Sequence, residues 1–142
     1  MLSILLTSIQ FICLGFILYT NPWISPKPLL VVIQALGLLL GAWAIAAMSR
    51  SKLNVTPVPR NGSVLISHGP YRLIRHPMYT SLFLIFYPIL ITDHSTANLV
   101  VFAILTVNMV LKLNYEEKLL HQRFEGYREM AGRTWRLIPW VY

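Results

Sequence analysis

Four apolar stretches separated by polar ones frame the chain. Residues 1–20 carry no side-chain charge and are mostly Leu, Ile and Phe. Asn21-Pro22-Trp23 breaks this run, and Ser25-Pro26-Lys27-Pro28 makes a short, stiff connection. Residues 28–49 form a second uncharged run, which at about 1.5 Å per residue is long enough for the hydrocarbon core. Residues 50–76 are polar, with Pro57, Pro59 and Gly62 reading as loop and residues 63–66 as a short apolar patch. Residues 76–92 and 95–111 are shorter uncharged runs joined by Asp93-His94. Each lies near the lower limit of roughly 17 residues for a span, and so short a link predicts a tight helical hairpin. Pro88 is expected to kink its first arm. From Lys112 the chain turns polar. Leu119, Leu120, Phe124 and Tyr127 fall at helical spacing within 114–128, predicting a helix that leaves the membrane, lies on its surface and ends near Gly132.

These elements predict an all-α integral membrane protein. It has about four transmembrane helices, the last two a tight hairpin, plus a cytoplasmic C-terminal interfacial helix. One membrane domain covers residues 1–142, with two N-terminal helices in 1–49 and the remaining core in 50–142. A signal peptide in residues 1–20 would need a basic leading segment and a small-residue cleavage site, and neither is present. Arg50, Lys52, Arg60, Arg72 and Arg75 lie between the second and third runs. Lys112, Lys118, Arg123, Arg128, Arg133 and Arg136 follow the fourth, and only Lys27 lies elsewhere. The positive-inside rule therefore puts both basic segments, both termini and any site they form in the cytoplasm. Gly37 and Gly41 make a small-xxx-small face open to another helix, which leaves the oligomeric state open.

Composition agrees. Charged residues are 12% of the chain and hydrophobic ones 56%, against about 25% charged in an ordinary soluble domain. The net charge of +7 then reads as basic loops beside anionic lipid rather than a nucleic-acid surface. Cys13 is the only cysteine, so no intrachain disulfide forms, and its apolar run makes it packing. No zinc spacing, P-loop or G-x-G-x-x-G occurs, and no metal site is expected. The chain is too short for four helices plus a nucleotide-binding domain, so helices and their connections must hold any cofactor.

Two polar clusters carry the candidate chemistry. The first is His68-Gly69-Pro70-Tyr71-Arg72-Leu73-Ile74-Arg75-His76-Pro77-Met78-Tyr79. Pro77 suits the first position of a helix, whose free N–H groups would seat a carboxylate. Arg72, Arg75 and His76 would equally hold lipid headgroups. The second cluster centres on Glu116-Glu117. Adjacent carboxylates there call for a cation, either a basic side chain such as Arg72, Arg75 or Lys112, or a positively charged ligand.

Residues 65–79, with R-H-P-x-Y at Arg75–Tyr79, resemble the hallmark of integral-membrane methyltransferases of the isoprenylcysteine carboxyl methyltransferase and phospholipid methyltransferase group. Glu116-Glu117-Lys118-Leu119-Leu120, Phe124, Tyr127 and Pro139 supply the rest of the pattern. The resemblance covers about residues 50–142. It implies S-adenosylmethionine as cofactor, held by Tyr71, His76, Pro77, Met78, Tyr79, the backbone of Ser63, Val64, Leu65 and Ile66, and a Glu of the pair, preferably Glu116. The candidate catalytic residues are Lys112, Glu117 and Arg75. Three departures bear on the substrate. Lys112 stands where the prenylcysteine enzymes carry an Arg for the substrate carboxylate; Phe124-Glu125-Gly126-Tyr127 replaces F-G…Y; and Thr134-Trp135 replaces Val-Pro. The implied activity is carboxyl O-methylation of an isoprenylcysteine-like or other apolar carboxylate. The alternatives are phospholipid (ethanolamine) N-methylation and a non-enzymatic small membrane protein. The expected partners are membrane lipids and a lipid or lipid-modified substrate.

Overall fold

The computed structural model describes residues 2–49, 65–92 and 95–141. Ser63, Val64, the basic residues Arg50, Lys52 and Arg60, and the Asp93-His94 link lie outside the described residues.

The apolar runs become helices with nearly the expected bounds. Helix α1 is Leu2–Thr20 and α2 is Pro28–Met48. Pro28 opens α2 at the position where a missing N–H costs nothing. A 3-10 turn covers Gly69–Arg72, and α3, Pro77–Thr92, begins on Pro77 as read. Pro88 lies inside α3, which continues past it. Helix α4 is Thr96–Arg123, capped by the Ser95 hydroxyl accepting from the Asn98 N–H. A short α5, Tyr127–Arg133, follows. Among the described residues there is no strand, only an isolated parallel bridge between Ile74 and Trp135.

One expectation needs correction. The change of composition at Lys112 does not start a new helix. Helix α4 runs unbroken from its apolar half through Glu116 and Glu117 to Arg123. Leu, Lys and Glu are good helix formers, and no Pro or Gly interrupts residues 96–123. The break comes at Phe124–Gly126, so the separate C-terminal helix is only the seven residues of α5.

Helices α1, α2 and α4 are each long and apolar enough to cross a membrane, while α3 is apolar but only 16 residues long. Their outward faces carry exposed Ile12, Leu39 and Val107, which suits contact with lipid. The core joins Cys13, Leu14 and Ile17 of α1 to Phe86 and Ile89 of α3 and to Leu105 and Met109 of α4.

Two helix pairs form around this core. In α2–α3, a Cβ added at Gly37 would come within 2.8 Å of Leu84 Cβ, and one at Gly41 within 3.0 Å of Ser81 Oγ. The small-xxx-small face is thus used inside the chain. Gln34 bonds the Ile85 carbonyl at 3.1 Å across the same seam. In α1–α4, Asn21 and Asn98 exchange amide hydrogen bonds of 3.1 and 2.7 Å. At the other end Asn108 Nδ2 donates to the Leu6 carbonyl at 3.0 Å. Both pairs are antiparallel, since residues late in the first helix meet residues early in the second.

Candidate functional site

The site is built where the chain enters α3. Gly69 has φ +62, a left-handed conformation that favours glycine, and a Cβ there would meet Ala47 at 3.1 Å. This turn tucks Tyr71 under α2, where its hydroxyl bonds Met48 Sδ at 3.2 Å. Burial pushes the Tyr71 hydroxyl pKa up, and the Glu116 charge adds to the rise. The C-terminal segment then lies alongside residues 73–76. The Trp135 N–H donates to the Leu73 carbonyl at 3.0 Å, the Arg75 N–H to the Trp135 carbonyl at 2.7 Å, and the His76 N–H to the Arg136 carbonyl at 3.1 Å. Thr80 Oγ1 adds a 2.8 Å bond to the Leu137 carbonyl.

Glu117 is the most enclosed charge at this junction. Its side chain receives Arg75 Nε at 2.9 Å and Arg136 Nη2 at 2.8 Å, with His76 Nε2 at 3.4 Å. Arg75 also donates through Nη1 to the carbonyls of Ala131 and Thr134, tying α5 to the start of α3. Burial pushes the Glu117 carboxyl pKa up, but hydrogen bonds from His76 and Arg75 outweigh it and hold the group well below the usual carboxylate range.

Glu116 is differently placed. Its Oε2 accepts from Tyr79 Oη at 3.0 Å and lies 3.9 Å from His76 Nδ1. Its side chain is 24% exposed against 8% for Glu117. No arginine reaches it among the described residues. His76, 5% exposed, thus stands between the two carboxylates and packs its ring edge against Tyr79.

Lys112 lies one turn before Glu116 on α4 and is 4% exposed. Its ammonium donates to Gln10 Oε1 on α1 at 2.8 Å and lies 5.9 Å from the centre of the Tyr79 ring. No carboxylate lies within salt-bridge distance of it among the described residues.

The fold thus gathers Arg75, His76, Tyr79, Lys112, Glu116 and Glu117 from two separate sequence clusters. Pro77 is buried and Met78 is partly exposed at the start of α3. Leu65 and Ile66 are half-buried, with Ile66 against the Ala44, Ala47 and Tyr71 cluster. Arg72 remains exposed and outside the group. Sequence reasoning missed the roles of Gln10, Thr134 and Arg136. A lone glutamine in an uncharged apolar run was the available signal for the first. Nothing local marked the other two. Tyr127 is 1% exposed, stacked edge-on against His121, and its hydroxyl has no partner among the described residues. A surface cleft of about 570 Å³, lined by His121, Phe124, Glu125 and Arg128, uses none of the residues of the carboxylate cluster.

Three apolar helices of spanning length, with a polar cluster at the start of a shorter apolar helix, suit a membrane protein. The chain belongs to the phospholipid methyltransferase family, whose profile matches residues 29–126, and that membership makes it a membrane methyltransferase. No curated protein matches it.

Proposed function

We propose that the protein is an S-adenosylmethionine-dependent methyltransferase acting on the carboxylate of an isoprenylcysteine-like or other apolar substrate. In this reading α3 completes four spans and forms a hairpin with α4. Both termini and the site face the cytoplasm, and residues 50–142 form the catalytic core.

The chain fits the cofactor at Glu116. That carboxylate is anchored by one oxygen to Tyr79, while Oε1 has no partner among the described residues. It is suited to an ammonium or a ribose diol. Tyr79, His76, Met78 and the segment leading to Tyr71 would complete the holding surface. When bound, S-adenosylmethionine supplies an electrophilic methyl group on a sulfonium. Glu117 serves as a clamp in this scheme: with Arg75 and Arg136 on its oxygens it fixes His76 and draws the C-terminal segment over the start of α3. Arg75 shares that positioning role, with Nε on Glu117 and Nη1 on the Ala131 and Thr134 carbonyls.

Lys112 carries the choice of acceptor. A carboxylate is ionised at neutral pH and needs a cation to orient it, not a base. Lys112 is such a cation: buried, held by one neutral partner, and beside Tyr79. Its enclosure also limits water around the acceptor, which strengthens the attraction. The family match favours a second reading, N-methylation of a phospholipid amine. That reaction needs a base to take the amine proton. Glu117 suits this poorly with two arginines on it, leaving His76.

Calorimetry of S-adenosylhomocysteine binding to detergent-purified protein tests the cofactor reading. We expect micromolar binding by wild type and its loss in Glu116→Ala with the fold retained. No binding by folded wild type, in detergent and in lipid, would overturn it. Radiolabelled methyl transfer to a prenylcysteine analogue and to phosphatidylethanolamine vesicles separates the two acceptors.

A further inference from the structure

The α1–α4 seam holds a cation in an unusual setting. Lysine at position 112 has Glu116 one turn ahead on the same helix, at the spacing of a common ion pair. The ammonium does not take that partner and turns instead to Gln10, itself 7% exposed, on a helix 102 residues away in sequence. Asn108 bonds the Leu6 carbonyl one turn earlier on α1, which ties the helix that carries Gln10 to α4.

The chemistry of this pair is specific. An ammonium has three donors, and Gln10 Oε1 satisfies one of them. A glutamine fixes where the lysine points without cancelling its charge. The seam is left with a positioned, nearly water-free positive charge facing the ring of Tyr79, whose hydroxyl holds Glu116. Polar groups at such depth are costly unless a partner completes them. An anionic oxygen would complete this one.

We infer that Gln10, on a helix outside the family-matched residues, is a positioning residue that sets where the acceptor's anionic group binds by pinning the Lys112 ammonium to the α1 side of Tyr79. This rests on the methyltransferase reading above and extends it. Acceptor selectivity is lodged in α1, whereas the groups assigned to the methyl donor come from α3 and α4. The anion is a carboxylate in one source and a lipid phosphate in the other, and both offer the same oxygen chemistry to Lys112.

The test is calorimetric, on detergent-purified protein with S-adenosylhomocysteine present. Three probes are compared: an S-prenylated N-acetylcysteine, its neutral carboxamide, and a short-chain phosphatidylethanolamine. Wild type should bind one of the two probes that carry an anionic group, carboxylate or phosphate, about tenfold more tightly than the carboxamide, as for a charge-assisted hydrogen bond, and the favoured probe identifies the source. Gln10→Glu, nearly isosteric and able to keep the bond to Lys112, should abolish that preference by neutralising the ammonium. Gln10→Leu should reduce it. Both should bind S-adenosylhomocysteine as wild type does, a result that loss of folding would not give. An undiminished anion preference in Gln10→Glu, or none in a wild type that binds S-adenosylhomocysteine, overturns the assignment of Gln10. Failure of folded wild type to bind S-adenosylhomocysteine overturns the methyltransferase reading, and this role with it.

Discussion

The α2–α3 seam is closed by what its residues lack, and the α1–α4 seam by what its residues carry. At Gly37 and Gly41 the missing side chains let two backbones approach until an added Cβ would strike Leu84 or Ser81. Between α1 and α4 the partners are amides and an ammonium: Asn21 with Asn98, Asn108 with the Leu6 carbonyl, Gln10 with Lys112. Close packing suffices to hold helices together in lipid. Polar groups in an interface add little to that, and α2–α3 uses Gln34 on the Ile85 carbonyl, so the larger number in the α1–α4 seam points to a use beyond cohesion. The difference teaches where to look for chemistry: the α2–α3 pair supports, and the α1–α4 pair leads to the site.

The sharpest way to break this division is at the end of α4. Glu117→Ala would leave Arg75 and Arg136 without their carboxylate, and removing one partner of a buried pair costs about 4 kcal/mol. Thermal unfolding in detergent should show a large loss and detachment of the C-terminal segment. The same ion cluster fixes a pH response. Because the folded Glu117 carboxyl is held below its ordinary value, its contribution is full above the unfolded pKa of about 4.3. It is lost as pH falls from there through the folded value. The difference in melting temperature between wild type and Glu117→Gln should therefore be constant from pH 7 to 5 and shrink below about pH 4.

Next in size is Gly37→Leu. A side chain forced into the 2.8 Å approach to Leu84 should cost about 3 kcal/mol as overpacking, read by thermal unfolding, while the protein that remains folded binds S-adenosylhomocysteine normally. Asn98→Leu removes the reciprocal amide pair with Asn21 and should cost only about 1 kcal/mol, in line with polar contacts inside membranes. Smallest is Gly15→Ala. Nothing lies within 4 Å of a Cβ at that position, so stability should stay within about 0.5 kcal/mol. A large effect there would mean that the outer face of α1 has a partner beyond the α3 and α4 residues of the core.

The limits of reading the chain from sequence follow the same line between local and distant. The bounds of α1 and α2 and the start of α3 at Pro77 were legible because uncharged runs and prolines act over a few residues. The length of α4 was not, because a change from apolar to charged residues resembles an element boundary, although charge does not terminate a helix. The glycine pair was legible as a surface for close approach, but its partner was not, since Leu84 and Ser81 carry no mark of it. At the candidate site, Arg75, His76 and the two glutamates stood out by type and spacing. The division of labour between Glu116 and Glu117 depends on Arg136, and the setting of Lys112 depends on Gln10. Those contacts join residues too far apart for any periodicity to register.

The clasp between residues 73–76 and 134–137 bears on the order in which the protein is made. Thr134 follows Arg75 by 59 residues, and α3 and α4 both lie between them. During synthesis Arg75, His76 and the glutamates therefore emerge before the segment that fixes them. The helices can pack while the site is still open, and the site is finished last, by the segment that closes over the start of α3.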